Sequence, residues 1–213
     1  MILNFRIIIS ILFSLMLLSG QSQDLVINEI LSSNINGITD SYGEHSDWIE
    51  IYNNTGSDQN LNSYYLSDKN DQPSKWKFPN VSIPAQGYLL VFASEKETVG
   101  AELHANFKIS QEGEYISLYS PSGVLIDRVD SVILRADVSY GHMQNASGSM
   151  RFFDVPTPSS SNTSIGYFGF VSEPNLSHES GFYTSSINVS VNHSSSQVML
   201  RYTQDGSIPT SSS

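Results

Sequence analysis

Cysteine content and charge exclude several classes of protein before any motif is considered. The 213 residues contain no cysteine, so disulfides, thiolate metal sites and cysteine nucleophiles are excluded and stability must come from packing. The 21 acidic side chains outnumber the 10 basic ones and give a formal net charge of −11, which repels phosphate backbones and argues against nucleic acid as a partner.

The N-terminal segment has the pattern of a secretory signal peptide. Arg6 precedes an almost entirely apolar run from Ile7 to Leu18, and small and polar residues follow at 19–23. The run is shorter than the roughly 18 apolar residues that a membrane-spanning helix needs. We therefore expect residues 1–23 to be a signal peptide whose cleavage leaves no transmembrane segment. Secreted eukaryotic modules of this size usually carry disulfides, so we expect a bacterial protein, secreted or held at the cell surface.

Short apolar runs separated by Asn, Gly, Asp, Pro and Ser fill residues 24 to about 153. No stretch keeps the 3.6-residue apolar period of an amphipathic helix for three turns. Seven runs have the length and composition of β-strands: LVINEIL, DWIEIYN, YYLSD, YLLVFAS, YISLYS, VLIDRVD and VSYGHM. Their number and spacing indicate an all-β fold in which two sheets enclose one core.

The run HSDWIEIYNN places a histidine and carboxylates beside large apolar side chains. Period-2 alternation divides it into two faces, with Asp47, Ile49 and Ile51 on one and Trp48, Glu50 and Tyr52 on the other. The pattern favours a central strand with Ile49 and Ile51 in the core. It also predicts that the carboxylates of this strand line a rim that faces solvent or a cation.

The composition changes after residue 154. Residues 155–166 are rich in Pro, Ser and Asn, which is typical of a flexible or semi-extended linker. Alternating runs return in INVSVN and QVMLRYTQDGSIPT and predict two or three more strands within residues 167–213. Fewer than about 50 residues without disulfides or metal rarely fold alone. We therefore expect this second β-module to be partial, with its natural continuation missing.

A series of short motifs runs in order from Leu25 to about Asn162: VINEILSSN, SDWIEIYN, YYLSD, KWKFP, GYLLVFAS, HANFKIS, GEYISLYSPSGVLIDRV, SYGHM and FFDVPTPSSSN. The series resembles the signature of bacterial lamin-tail domains. This resemblance implies an immunoglobulin-like β-sandwich for residues 24–154, in agreement with the strand count. The closing strand departs mildly from the family pattern, because Phe152 and Phe153 stand where a Trp is common.

The C-terminal residues carry a second resemblance. SEPNLSHESGFYTSSINVSVN and then YTQDGSIPT, residues 202–210, are similar to the start of the small β-sandwich module at the C-terminus of chitobiases and β-hexosaminidases. Only the first half of that module is matched, so the resemblance implies a partial module at 167–213. In exported bacterial proteins the two modules in this order often precede a spore-coat-H-like kinase domain or another enzyme.

Residues suited to catalysis are few. His45 shares a strand face with Asp47 and lies near Glu50, which suits general acid–base chemistry only if a cleft surrounds them. The other histidines, His104, His142, His178 and His193, fall in segments with no paired nucleophile. Motifs for a serine nucleophile elbow, a phosphate-binding glycine loop and a zinc protease are all absent from the sequence. We therefore expect no catalytic residue and no enzyme activity in this chain.

Five carboxylates cluster in sequence around the first two predicted strands: Glu29, Asp40, Glu44, Asp47 and Glu50. The loop NINGITDSYGEHSD adds oxygen ligands and glycines, and Ca²⁺ is bound by six to eight oxygens in a flexible cage. The spacing is not that of an EF-hand. The sequence thus leaves two interpretations open, a structural Ca²⁺ site and an ordinary acidic loop, and indicates no other cofactor.

Trp76, between Lys75 and Lys77, is the best candidate for an exposed aromatic that contacts a cell-surface glycan or a partner protein.

The sequence favours an exported non-catalytic β-sandwich protein that serves as an interaction, adhesion or spacer module at the bacterial surface or outside the cell. The alternative is an N-terminal accessory segment of a larger secreted enzyme, kinase-like or carbohydrate-active, with its catalytic domain beyond residue 213. The sequence carries no signal for an oligomeric state.

Overall fold

The computed structural model describes residues 23–210, so the predicted signal peptide lies outside the described residues except for its last position. The strands are β1 Leu25–Leu31, β2 Asp47–Asn53, β3 Gln59–Asn60, β4 Tyr65–Ser67, β5 Trp76–Lys77, β6 Ser82–Ile83, β7 Tyr88–Ala93, β8 Leu103–Ala105, β9 Ile116–Tyr119, β10 Leu125–Val129, β11 Ser139–His142, β12 Met150–Phe153, β13 Gly166–Tyr167, β14 Asn175–Leu176 and β15 Val191–Asn192. Residues 23–210 contain no helix, and hence none that is long and apolar enough to span a bilayer. The all-β prediction is confirmed.

Two sheets form the body of the molecule. The larger has seven strands in the order β13, β12, β11, β1, β2, β7 and β8, and only the β7–β8 pair is parallel. The smaller has the order β10, β9, β4 and β5, while β3 pairs with β6 in a short ribbon. Side chains from both sheets meet in one apolar core. The architecture is an immunoglobulin-like β-sandwich, as the sequence predicts.

The core is built from alternate positions of the strands. Ile49 and Ile51 of β2 pack with Leu66 of β4, Val91 of β7 and Leu118 of β9, and each of the five is fully buried. Burying an aliphatic side chain of this size contributes about 1.5–3 kcal/mol. The predicted inward positions of Ile49 and Ile51 are therefore confirmed, and β2 is a central strand, paired with β1 on one side and β7 on the other.

Strand β1 contains a β-bulge that changes the direction of its side chains. The register with β2 shifts between Ile27 and Glu29, so Asn28 is an extra residue on β1. Because of this shift Ile27 and Ile30, although three positions apart, both enter the core. Glu29 is instead placed opposite Glu50, on the other face of the sheet. Every residue of β1 is buried, which a simple inward–outward alternation on a one-sided sheet would not produce.

The outer face of the seven-stranded sheet is covered rather than solvent-exposed. Leu31, Trp48 and Phe92, which lie side by side on β1, β2 and β7, form a second small apolar cluster there. Residues 154–162, called the strap below, also cross this face without regular secondary structure and bond to its buried side chains. Most of the strap falls in the range predicted to be a linker, and its backbone is anchored to the sandwich. The domain boundaries inferred from the sequence stay predictions.

The chain after the strap is less tightly packed. Strand β13 extends the edge of the seven-stranded sheet by pairing with β12, and β14 and β15 form an exposed two-stranded antiparallel sheet. Phe182, Met199 and Ile208 expose most of their surface. Within the described residues this segment builds no core of its own, and its identity as part of a second β-module stays a prediction.

Candidate functional site

The five carboxylates predicted to bind calcium do not converge. Glu29 and Glu50 are fully buried beneath the strap. Asp40 and Glu44 lie in the loop before β2, and Asp47 begins that strand. Within residues 23–210 no group of three or more His, Asp or Glu side chains is arranged to hold a metal ion. Calcium binding stays a prediction.

A lysine lies between the two loop carboxylates. Lys96 Nζ is 3.0 Å from Asp40 Oδ2 and 2.8 Å from Glu44 Oε2. Asp40 also accepts hydrogen bonds from the Glu44 N–H at 2.9 Å and the Ser46 hydroxyl at 2.7 Å. Burial opposes ionisation, but these hydrogen bonds and Lys96 lower the pKa of Asp40 to about 2. A second cation at this position would therefore have to displace Lys96.

Asp47 and His45 do not form a catalytic pair. The Asp47 carboxylate accepts the Ser33 N–H at 2.8 Å and the Ile109 N–H at 3.0 Å, and so fixes two loops to the start of β2. The exposed His45 ring contacts the carbonyl oxygen of Ile38, at 3.3 Å from Nδ1. The geometry assigns Asp47 to loop anchoring and leaves His45 without a carboxylate partner among these contacts.

The burial of Glu50 corrects the solvent-facing part of the prediction that the carboxylates of β2 line a rim facing solvent or a cation. The Glu50 side chain is fully buried, as are those of Glu29 and Asn28, and Asn162 is only 1% exposed. The physical reason is the strap, which covers the outer face of the sheet at this point. These four residues, with Asn145 and Thr157, form a buried polar cluster that the sequence did not predict.

The two glutamates of the buried polar cluster hold the strap directly. Glu50 Oε1 accepts the Asn28 amide at 2.9 Å, and Glu50 Oε2 accepts the Ser159 N–H at 2.5 Å. Glu29 accepts hydrogen bonds from the Ser139 hydroxyl, from the Thr157 N–H at 3.2 Å and from the Thr157 hydroxyl at 3.0 Å. Adjacent strands of the sheet thus supply the acceptors for the strap's donors.

Asn162, at the end of the strap, hydrogen-bonds to other residues of the buried polar cluster. Its amide donates to the carbonyl oxygens of His142 at 2.7 Å and Asn28 at 3.2 Å, and its Oδ1 accepts the Thr157 hydroxyl at 2.9 Å. Gly141 of β11 leaves the space for this approach. A Cβ on Gly141 would lie 2.4 Å from the Asn28 carbonyl oxygen and 3.0 Å from Asn162 Nδ2.

The electrostatics of the buried polar cluster favour protonated carboxyl groups. Burial raises the pKa of Glu50 to about 8, the hydrogen bonds from Asn28 and Ser159 lower it only in part, and the charge of Glu29 raises it further. Burial also raises the pKa of Glu29, against the hydrogen bonds from Ser139 and Thr157. Two facing carboxyl groups in a desolvated site resist simultaneous ionisation. The cluster can therefore bind or release a proton near neutral pH.

A Ser–His–Glu chain corrects the interpretation that no histidine has a nucleophile beside it. Ser94 Oγ lies 2.7 Å from His104 Nδ1, and His104 Nε2 lies 2.9 Å from Glu102 Oε1. Glu102 immediately precedes β8 and His104 lies within it, a two-residue spacing visible in the sequence. The sequence gives no sign of Ser94, because the parallel pairing of β7 with β8 brings it there.

The Ser–His–Glu chain is enclosed rather than open to substrate. Ser94 is 4% exposed and His104 is 2% exposed. The imidazole is stacked on the Phe92 ring and meets the Tyr42 ring edge-on, with centroids 5.5 and 5.4 Å away. A serine nucleophile needs an accessible oxygen and a cleft for the acyl group. The arrangement links β7 to β8 and does not present a nucleophile.

Trp76 is half-buried on β5, at the edge of the four-stranded sheet. Its ring meets Phe78 edge-on with centroids 4.7 Å apart, and it packs against the main core. The predicted role in glycan or partner contact stays a prediction, for which only the exposed part of the indole is available.

Comparison with known families identifies the sandwich. The model of the lamin tail domain matches residues 19–132, more than half of the chain. The chain belongs to the lamin tail domain family. This is a family of immunoglobulin-like domains without enzymatic activity. Among curated proteins, none matches the chain.

The lamin tail domain described here extends structurally beyond the matched range. Strand β11 begins after residue 132, yet it pairs directly with the central strand β1. Strand β12 then pairs with β11 along its whole length. The strap follows β12, so the buried polar cluster joins the matched β1 and β2 to residues outside the match.

Proposed function

We propose that this lamin tail domain protein is an exported, non-catalytic interaction and adhesion module that acts at the bacterial cell surface or in the extracellular medium. The observation that carries the proposal is membership of a family of non-enzymatic immunoglobulin-like domains. The apolar N-terminal run of the sequence supports export. A sandwich of this family is suited to binding or to spacing other parts.

The side chains considered as catalytic acids and bases support a non-catalytic role, because each of them already contacts other groups of the protein. Asp40 is bound to Lys96, and Asp47 accepts two backbone N–H groups. Glu50 and His104 are buried and engaged by neighbouring side chains. Asp47 also lines a small polar depression of about 160 Å³ with His45, but its carboxylate is already held by the two N–H groups.

The surface supports a binding role over a purely mechanical one. Large apolar side chains after the strap are highly exposed, among them Ile165, Phe168, Val171 and Tyr202. Val171 lines one surface depression with Tyr167 and Phe170, and contiguous exposed apolar surface is typical of regions that contact other molecules. The acidic net charge adds attraction for basic partners.

Export is tested by expressing the full chain in a bacterium and locating it by immunoblot. Accumulation in the medium or on intact cells is expected, and the matched control carries Leu17→Arg and Leu18→Arg in the apolar run, which should retain the protein inside. A wild-type protein retained in the cytoplasm would contradict the export half of the proposal.

Binding is tested by incubating the secreted protein with peptidoglycan, chitin and intact bacterial cells, with bovine albumin as a negative control. Retention on at least one of these surfaces is expected. Loss of all binding would leave only a spacer role. A hydrolase assay of the wild type and of Ser94→Ala completes the test, since activity lost in that variant would overturn the non-catalytic assignment.

A further inference from the structure

A cavity of about 330 Å³ lies on the outer face of the seven-stranded sheet, between the loop that follows β1 and the strap. Its accessible apolar walls come from the half-buried Ile38, Pro156 and Pro158, and the buried Leu31 and Trp48 lie at its floor. The volume is at the lower end of the range of about 300–1,000 Å³ found for ligand sites. It therefore suits one extended side chain better than a cofactor.

Carboxylates supply the charge of this cavity. Asp137 and Asp154 line it, and among the described residues that line it none is cationic. Asp137 accepts the Asn36 N–H at 2.9 Å and the Ile35 N–H at 2.7 Å, and these bonds lower its pKa, so it is ionised at neutral pH. Asp154 is exposed at the base of the strap. The cavity thus combines apolar walls with a negative rim.

We propose that this cavity binds a lysine or arginine side chain of a partner polypeptide. The proposal rests on the proposed interaction function and specifies the chemistry of its ligand. Long basic side chains bury an aliphatic stem along apolar surface and keep the charged head at the edge, which is the arrangement this lining complements. The net charge of −11 also draws basic segments towards the protein.

The lining argues against a sugar in the same place. Trp48 is only 1% exposed and its neighbour Leu31 is equally buried, so the indole offers no open face on which a pyranose ring could stack. The cavity is therefore assigned to a cationic side chain.

A neighbouring depression provides room for the peptide residues on either side of the bound lysine or arginine. A second depression shares Asp154 with the cavity and is lined by Tyr167, Phe170 and Val171. Arg135 also borders it, with its guanidinium 3.8 Å from the centroid of the Phe170 ring. Residues that flank the bound lysine or arginine in an extended chain can lie along this apolar surface.

The test uses the two tryptophans as reporters, because the chain contains only two. Trp48 lines the cavity, whereas Trp76 lies on β5 in the other sheet. The ¹⁵N-labelled protein is titrated with the peptide acetyl-Ala-Ala-Lys-Ala-Ala-amide, with the same peptide carrying norleucine in place of lysine, and with chitotetraose. The expected result is a saturable shift of the Trp48 indole signal with the lysine peptide only, and an unmoved Trp76 signal.

Two variants that each lose one negative charge distinguish binding in the cavity from general electrostatic attraction of the peptide. Asp154→Asn should weaken lysine-peptide binding about two- to fivefold, the range of a partly exposed ion pair. Asp71→Asn removes one charge from an exposed turn next to β4 and should leave binding unchanged. Equal weakening by both variants would overturn the proposal.

Three further outcomes would also overturn it: equal binding of the norleucine peptide, a Trp48 shift with chitotetraose alone, and no response to any probe. In each of these cases the proposed function is judged separately. Continued retention of Asp154→Asn on cells or peptidoglycan would keep the interaction role and exclude only this cavity as its site.

Discussion

Glu29 of β1 and Glu50 of β2 are directly opposed across their strand pair, and both side chains are fully buried beneath the strap. Like charges directly opposite each other destabilise a sheet, and burial raises the cost. Yet both carboxyl groups are needed as acceptors for Thr157 and Ser159. The attachment of the strap is therefore coupled to the protonation of this pair.

The first prediction concerns pH. The folded-state pKa of Glu50, about 8, lies above its ordinary value of 4.5, so the stability linked to its proton is complete below pH 4.5 and is lost as the pH rises through about 8. Glu29 acts in the same direction. The free energy of unfolding, measured by urea titration, should fall by more than about 1 kcal/mol between pH 5 and pH 9.

Glu50→Gln provides the control for this pH effect, because glutamine, like a protonated carboxyl group, keeps one acceptor oxygen and cannot ionise. The variant should show a flatter stability profile over pH 5 to 9. Asp40 does not interfere, since its pKa of about 2 confines its titration to lower pH. A wild-type stability that rises over this range would contradict the linkage, as would an unchanged slope in the variant.

The second prediction concerns Asn162. Replacement by alanine removes the donors to the His142 and Asn28 carbonyl oxygens within the buried polar cluster, whereas the Thr157 hydroxyl keeps its bond to Glu29. Unsatisfied buried polar groups cost about 1–3 kcal/mol each. Asn162→Ala should therefore lower the free energy of unfolding by at least about 2 kcal/mol, measured by urea titration at pH 6.

Asn60→Ala is the matched control for Asn162. Asn60 is exposed, and its amide bonds to Asn80 and Ser82 at the surface. Surface substitutions of this kind usually change stability by no more than about 0.5 kcal/mol. Equal losses in the two variants would show that the buried polar cluster contributes no more than surface hydrogen bonds.

The third prediction concerns the glycine behind the buried polar cluster. A methyl group on Gly141 would meet the backbone oxygen of Asn28 at 2.4 Å, and backbone atoms of a central strand cannot move aside easily. Gly141→Ala should cost about 1–3 kcal/mol, the usual range for overpacking, and thermal unfolding measures it. Gly56→Ala is the control, since a Cβ there meets nothing within 4 Å. A stable Gly141→Ala protein would mean that β1 and the strap shift readily.

The sequence predicted the features that depend on local pattern. The alternation in DWIEIYN places Ile49 and Ile51 in the core because a period of two is a property of any strand. The burial of Glu50 depends on Ser159, which lies 109 positions away, and on the bulge at Asn28. No local pattern contains either relationship.

The strap shows that amino-acid composition alone does not predict whether a segment is a flexible linker or is anchored to the fold. Its Pro, Ser and Asn content is that of a flexible linker, and the same residue types are also good donors and acceptors for a buried carboxyl pair. Thr157 and Asn162 become buried partners only because the outer face of the sheet presents Glu29 to them. Likewise, Ser94 meets His104 only through the parallel pairing of β7 with β8.

The last prediction addresses calcium. Because Lys96 already bridges Asp40 and Glu44, the melting temperature of the wild type should be the same in Ca²⁺ and in chelator. Lys96→Met should lower the melting temperature in chelator, since the Asp40 side chain is fully buried and loses its counterion. Ca²⁺ should restore part of that loss in the variant, because carboxylate oxygens then become available to a hard cation.

Lys77→Met controls for the loss of one positive charge, since Lys77 is exposed on β5 in the other sheet. Its melting temperature should match that of the wild type and should not respond to Ca²⁺. A rise in the wild-type melting temperature on adding Ca²⁺ would instead support a structural calcium site in this loop, and would mean that the cation displaces Lys96. Ca²⁺ titration of the wild type and of the Lys96→Met protein then separates a native site from an engineered one. A native site binds Ca²⁺ in both proteins and more tightly in the variant, which has lost the competing lysine. An engineered site binds Ca²⁺ only in the variant.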